Sequence, residues 1–244
     1  MNTSNKKILI IVPAFNECGN IGRTVAEIRK CANGVDILVI DDGSSDATAY
    51  EAGLAAGMVV SLPFNLGIGA AVQTGFQYAQ RHQYDIAVQI DGDGQHDASF
   101  LGKLIEPLVL QNADIVVGSR FLEKTGGFQS SFSRRMGIKF FVHLINLLTG
   151  VKVKDPTSGF RAYNKKMIAL FSEYYPHDFP EPEAIVVAQQ AGARIVEVSV
   201  VMRAREAGNS SIRYFKTLYY MIKVSLAILL HMIRQRPARK NKEA

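Results

Sequence analysis

The chain has 244 residues, 48% of them hydrophobic, and a formal net charge of +6. This length and apolar fraction exclude a disordered chain and fit one large α/β domain or two small ones. The basic balance suits nucleic acid, a membrane surface or phosphorylated substrates, and two cysteines, Cys18 and Cys31, are too few for a disulfide framework and lack metal-site spacing.

In chain order, Ile8 to Pro13 reads as a first strand, too short in its apolar run for a signal peptide. A helix follows from about Asn20 to Ala32, with Ile21, Val25 and Ile28 on one face. Val35 to Ile40 is a second strand, ending in Asp41-Asp42-Gly43-Ser44. A helix over Ala47 to Ala56 returns to a third strand, Met58 to Leu62. Pro63 to Gly69 then opens a helix running through Ala79. The fourth strand, Asp85 to Ile90, runs straight into Asp91-Gly92-Asp93-Gly94-Gln95-His96-Asp97. A helix near Ser99 to Gln111 precedes a fifth strand, Asp114 to Val117. Strands alternating with helices predict βαβ units and a mostly parallel sheet.

After Gly118-Ser119-Arg120 the alternation breaks. Phe128 to Leu148 reads as a helix with Phe132, Met136, Phe140, Leu144 and Leu148 four apart, and Arg134, Arg135 and Lys139 off that stripe. The segment Asp155 to Arg161 leads to a short helix, Phe179-Pro180-Glu181-Pro182-Glu183 opens another, and Arg194 to Met202 is a last strand. Tyr214 to Arg234 reads as a C-terminal helix, followed by a basic tail. No uninterrupted apolar run reaches the ~20 residues of a membrane span.

Three strand ends carry the chemistry: Pro13 to Glu17, Asp41-Asp42, and Asp91 to Gln95. Ligands of parallel sheets sit beyond the carboxyl ends of the strands, so these ends share one rim. Carboxylates crowded there repel one another unless a cation sits among them. Two aspartates two apart suit Mg²⁺ or Mn²⁺ shared with substrate phosphates; the competing reading is helix capping, for which Asp97 is the best candidate. Gly67-x-Gly69 reads as a helix-opening turn, and His96 as either a ligand or a positioning group.

Taken together, Ile11-Val12-Pro13-Ala14-Phe15-Asn16-Glu17, Asp41-Asp42-Gly43-Ser44 and Asp91-Gly92-Asp93 resemble the inverting family 2 glycosyltransferases of GT-A fold. Asp91 to His96, Gly118-Ser119-Arg120 and Ser158-Gly159-Phe160-Arg161 resemble the polyprenyl-phosphate sugar synthases within that family. The stretch Gly127 to Phe132 with Arg134-Arg135, and Pro180-Glu181-Pro182-Glu183, are similar to bacterial enzymes making undecaprenyl-phosphate N-acetylglucosamine, which work alongside a small membrane protein. The resemblance implies that Pro13, Phe15, Glu17 and Asp42 line the nucleotide, and that Asp91, Asp93 and Gln95 form the metal and diphosphate site. Phe15 stands where many relatives carry Tyr, so stacking is expected without a hydroxyl contact.

Guanidinium suits bidentate phosphate contacts. Arg203 and Arg205, in a Gly- and Ser-containing loop, are placed over the donor phosphates, the other reading being a solvated basic loop. Arg120, Arg134 and Arg135 are assigned to the acceptor phosphate, with Asp93 as the catalytic metal ligand. An alcohol acceptor would instead need a base, for which Asp155, Asp178, Glu181 and Glu183 are candidates; Glu181 and Glu183 also suit a helix N-terminus.

The expected organisation is a glycosyltransferase domain over residues 1–212, including the helix of 128–148, and a C-terminal amphipathic helix with a basic tail over 213–244. The helix of 128–148 is either interfacial or core-facing. The C-terminal helix and tail lie against a membrane or membrane partner, or form an oligomer interface. The expected activity is transfer of N-acetylglucosamine from UDP-N-acetylglucosamine to undecaprenyl phosphate, as a peripheral enzyme of the cytoplasmic membrane face, with no nucleic-acid partner. Two other readings stay open: transfer to a sugar hydroxyl of a growing glycan, and a silent nucleotide-binding subunit.

Overall fold

The computed structural model describes residues 6–123, 132–177 and 180–203, together with 223, 225, 226, 228 and 229; for 132–135 it describes the backbone alone. Seven strands form one sheet: β1 (Ile8–Ala14), β2 (Asp36–Asp41), β3 (Met58–Ser61), β4 (Ile86–Gln89), β5 (Ile115–Ser119), β6 (Arg161–Asn164) and β7 (Ile195–Ser199), in the order β3-β2-β1-β4-β6-β5-β7. β1 pairs in parallel with both β2 and β4, and β5 with β7. Among the described strands β6 alone is antiparallel to its neighbours, β4 and β5.

The expected mostly parallel sheet is present, and every residue of β1 is buried. Such strands are covered on both faces. Ile8, Ile10 and Val12 pack with Val39, Val88 and Leu104 on one side. Leu9 and Ile11 pack with Leu38, Phe76, Ala87 and Phe171 on the other. Helices α1 (Ile21–Cys31) and α4 (Leu101–Val109) serve the first face, α3 (Ile68–Arg81) and α6 (Lys165–Glu173) the second, and α2 (Thr48–Ala56) returns β2 to β3. At Gly75 a Cβ would stand 2.4 Å from Ile11 Cγ2, so glycine is what lets α3 lie against β1.

Sequence patterning missed β6. Its four residues, Arg-Ala-Tyr-Asn, begin with a charge and have no apolar run, yet Arg161 is fully buried. Only long-range pairing makes it a strand.

The helix α5 (Phe132–Thr149) is rotated from the expected stripe. Ile138, Phe141 and Ile145 are buried, the last two against Val153, α7 (Pro180–Gln190) and Ile228. Met136 and Phe140, which belong to that stripe, are 60% and 43% exposed, and Leu147 is 77% exposed. A four-residue spacing drifts around a helix of 3.6 residues per turn. The helix is therefore core-facing on one side and apolar towards solvent on the other. Most of the expected C-terminal helix and all of the basic tail lie outside the described residues, as do 124–131 and Asp178.

Candidate active site

The three acidic strand ends come together as expected. β1 lies between β2 and β4, and all three point their carboxyl ends to one edge. There a cavity of about 330 Å³ is lined by Pro13, Phe15, Glu17, Asp42, Asp91 and Asp93. Asn65, Gly67, Ile68 and Ala71 form another part of its wall. Those four were not read from the sequence as site residues. The signal was Gly67-x-Gly69, correctly read as a helix-opening turn: Gly67 precedes α3 with φ 91°. The volume lies within the range of small-ligand sites.

Local hydrogen bonds explain the wall. Asp42 accepts from the backbone N–H of Leu66 at 2.8 Å and of Gly67 at 2.9 Å, one on each carboxylate oxygen. The β2 end thus holds the loop before α3. Gly43 sits at φ 68°, and a Cβ there would fall 2.6 Å from the Phe64 carbonyl carbon. Only glycine meets both demands. Glu17 is buried, its carboxylate accepting from Asn20 Nδ2 at 2.8 Å and its N–H donating to Thr48 Oγ1 at 2.8 Å. Phe15 is 45% exposed at the cavity, an open ring face for stacking.

At the β4 end, Gly92 donates its N–H to the Pro13 carbonyl at 3.1 Å and accepts from Thr24 Oγ1 at 3.3 Å. Asp93 Oδ1 accepts from the Gln95 N–H at 3.0 Å. The Asp91 N–H donates to His96 Nδ1 at 3.1 Å, and Gln89 Nε2 lies 3.4 Å from Asp91 Oδ1. His96 is buried, stacked on Phe160 at 5.0 Å between ring centroids. Burial depresses its pKa to about 4, against the pull of Asp93. Its Nδ1 is taken up by the Asp91 N–H and the ring does not line the cavity, so a positioning role fits it better than a ligand role.

Several expected site residues lie elsewhere. Gln95 is not part of the cavity wall; its amide nitrogen reaches the Arg203 carbonyl at 3.5 Å, because residues 95–96 pair with 202–203. Arg203 grips Glu27 with two 2.7 Å hydrogen bonds and lies 3.1 Å from Asp97. Its guanidinium is thus held on α1 and not over the cavity. Asp97 caps the turn before α4 by accepting from the Ser99 N–H at 2.9 Å, as the capping reading expected. Burial alone would raise its carboxyl, but Ser99 and Arg203 outweigh that and lower it.

Arg120 is also committed. Its Nε and Nη2 each donate at 2.6 Å to one oxygen of Asp155, which is fully buried, and Nη2 also reaches Thr157 Oγ1 at 2.9 Å. This takes Asp155 out of the set of candidate bases. Arg161, quoted only as part of a motif, is a buried clamp: it donates to the carbonyls of Ser158, Pro156 and Glu181 at 2.7, 2.8 and 2.8 Å. Glu181 and Glu183 sit in the first turn of α7, where the helix dipole favours anions. Burial pushes the Glu181 carboxyl up, opposed by the Arg161 charge. Arg134 and Arg135 begin α5, but their side chains, like all of Arg205, lie outside the described residues.

The donor set fits a hard divalent cation. Among the described residues no group of three or more His, Cys, Asp or Glu is arranged to hold a metal ion. Two carboxylates with remaining positions left to phosphate oxygens and water is how Mg²⁺ is commonly bound in nucleotide sites, and Asp91 and Asp93 supply that pair.

Comparison with known proteins bears on the same residues. The family description "Glycosyl transferase family 2" matches residues 9–171. An undecaprenyl-phosphate mannosyltransferase of Micrococcus luteus is 30% identical over 216 residues, covering 84% of this chain and 86% of that one. A UDP-N-acetylglucosamine–dolichyl-phosphate N-acetylglucosaminyltransferase of Methanococcus voltae is 29% identical, covering 81% and 86%. The crystal structure of glucosyl-3-phosphoglycerate synthase from Mycobacterium tuberculosis, in complex with Mn²⁺, uridine diphosphate and phosphoglyceric acid, superposes with a TM-score of 0.73 at 22% identity, covering 96% of this chain and 81% of that one.

Proposed function

The chain belongs to glycosyl transferase family 2 and is a glycosyltransferase of GT-A fold, and from that premise we propose that it moves N-acetylglucosamine from its UDP donor onto undecaprenyl phosphate. The observation that carries the proposal is the single cavity on which Asp42, Asp91 and Asp93 converge beyond β1, β2 and β4. Relatives acting on polyprenyl phosphates support the acceptor class, and their donors differ in sugar. The Methanococcus voltae relative and the sequence motifs around Arg134 and Pro180 support N-acetylglucosamine.

Each residue has a place in this reading. Phe15 stacks on the base, and Glu17, Pro13 and Asp42 bound the nucleoside. Asp91 and Asp93 would hold Mg²⁺ or Mn²⁺, and the bound cation would neutralise the charge that develops as the diphosphate leaves. The acceptor phosphate oxygen forms a bond to the anomeric carbon as the bond from that carbon to the diphosphate breaks, with inversion. A phosphate acceptor is already anionic and needs no base. That agrees with Asp155 being bound up by Arg120. Arg134 and Arg135, in the first turn of α5, are the cations assigned to the acceptor, and Arg120 keeps its neighbouring loop in place.

The same reading sets the chain against a membrane. Among the described residues no helix is long and apolar enough to cross one. Met136, Phe140 and Leu147 on α5, with Leu226 and Leu229 in the C-terminal segment, are exposed apolar groups. The sequence adds Arg234, Arg236, Arg239, Lys240 and Lys242, each worth about 1 kcal/mol near an anionic surface. In the cell this is the cytoplasmic face, with room for a small membrane-protein partner or a second copy.

The test is a donor screen. UDP- and GDP-sugars are offered with undecaprenyl phosphate vesicles and Mg²⁺ or Mn²⁺. Release of UDP from UDP-N-acetylglucosamine, without any glycan acceptor, is expected; turnover with a GDP-sugar alone, or only with added glycan, overturns the donor or acceptor assignment.

A further inference from the structure

Behind the cavity, the Asp91 carboxylate is surrounded by groups that the transfer itself does not use. Gln89, the last residue of β4, is fully buried, and its Nε2 lies 3.4 Å from Asp91 Oδ1. His96 is buried on the same side, and its Nε2 lies 3.8 Å from Asp91 Oδ2. Because Nδ1 of His96 accepts the Asp91 N–H, the neutral ring carries its proton on Nε2, the nitrogen that faces the carboxylate. Gln89 therefore donates to one carboxylate oxygen, while His96 holds the Asp91 backbone N–H and stands beside the other oxygen beyond hydrogen-bond distance. Gln89 Oε1 and His96 Nε2 are buried with no hydrogen-bond partner among the described residues.

A third wall fixes the remaining side. A Cβ at Gly159 would stand 3.0 Å from Asp91 Oδ2 and 3.2 Å from Gln89 Nε2. Glycine there leaves room for the carboxylate and nothing more. The His96 ring is fixed in turn by its stack on Phe160, 13° from parallel. About a third of the Asp91 side chain, 35%, stays open. Uncharged donors of this kind fix orientation without cancelling charge, and a buried polar group left without its partner is costly.

We propose that Gln89 and His96 are positioning residues that set Asp91, Gln89 at the carboxylate and His96 at the backbone N–H, so that its exposed side is turned to the cavity in which a cation and diphosphate would bind. The inference rests on the nucleotide reading of the cavity. Its consequence is that Asp91 is set from the protein interior, by Gln89 at the carboxylate and by His96 at the backbone N–H. Loss of either positioning group then weakens donor binding and leaves the chemical step largely intact.

The experiment uses the full chain with Gln89→Met, Gln89→Glu and His96→Gln. Mn²⁺ binding in the presence of UDP is read by electron paramagnetic resonance, UDP binding by calorimetry, and turnover as separate KM and kcat. Gln89→Met keeps the volume and removes the donor; about tenfold weaker Mn²⁺–UDP binding is expected, the lower end of what outer-shell partners contribute. Gln89→Glu places a like charge beside Asp91 and is expected to weaken binding further. His96→Gln keeps a side-chain acceptor for the Asp91 N–H and is expected to retain more affinity than His96→Phe, which keeps only the stack. In each, kcat at saturating donor stays within about twofold. Should Gln89→Met fail to fold, Gln89→Asn keeps the amide and withdraws it by one methylene. Folded variants that bind Mn²⁺–UDP as tightly as the parent overturn the inference. A parent protein that binds neither Mn²⁺ nor UDP overturns the cavity reading and the inference with it.

Discussion

Arg120 and Asp155 form a bidentate pair in which both hydrogen bonds measure 2.6 Å and the carboxylate is fully buried. The Asp155 N–H donates in turn to Glu197 on β7 at 2.9 Å. The pair therefore ties the end of β5 to the loop before β6 and to β7. Removing one partner of such a pair leaves an uncompensated buried charge, at about 3–5 kcal/mol. Arg120→Ala is expected to lower unfolding free energy by about that amount in urea denaturation. Arg120→Met with Asp155→Leu is expected to recover most of it, since both charges are then gone.

Asp42 offers a second test. It is buried and holds the backbone of Leu66 and Gly67 at the cavity wall. Hydrogen bonds to a charged group contribute about 1.5–3 kcal/mol each. Asp42→Ala is expected to weaken UDP binding by at least about tenfold and to lower the melting temperature, whereas Asp42→Asn retains one acceptor and falls between. Calorimetry and thermal melting on the same samples separate the two effects.

Asp93 offers a different test, because its side chain lines the cavity and accepts the Gln95 N–H two residues along the chain. Asp93→Ala is expected to leave the melting temperature within about 2 °C, as surface-like substitutions do. UDP release should fall by about a hundredfold or more, the loss expected when several kcal/mol of leaving-group stabilisation goes. Turnover that survives the substitution would remove Asp93 from the mechanism.

On α5, Phe140 and Leu147 are exposed, so charging them costs little fold stability. Phe140→Glu with Leu147→Glu is expected to reduce sedimentation with anionic vesicles several-fold while UDP binding is unchanged. Equal vesicle binding would move the membrane contact to another surface.

The Asp97 carboxylate, held by Ser99 and then by Arg203, gives a pH dependence. Asp97 titrates below its ordinary value of 3.8 in the folded chain. A carboxyl lowered in the folded state contributes stability that is present above the unfolded value and lost as pH falls through the folded one. Stability should therefore decline below about pH 4, and Asp97→Asn should flatten that acid limb in unfolding measured from pH 3 to 6.

Much of this was legible in the chain. Apolar runs ending in acid gave β1, β2 and β4 and the rim they share, because side chains buried on both faces of a parallel strand must be apolar in sequence. The boundaries differ by only a residue or two, since strand ends depend on pairing. The Asp97 cap was also readable, as it is a contact of two residues along the chain.

What the chain alone could not decide was where long polar side chains go. Arg120, Arg203 and Gln95 carry the right chemistry for phosphate or metal, yet their partners Asp155, Glu27 and the Arg203 carbonyl lie 35, 176 and 108 residues away. The same holds for Arg161 in β6, for the rotation of α5, and for Gln89 and His96 behind Asp91. The sequence determined the identity of the family and the acidic edge, which follow from local pattern; tertiary pairing alone decided that Arg120 and Arg203 are held by carboxylates away from the cavity wall, because an ion pair is formed by distance in space and leaves no period in the chain.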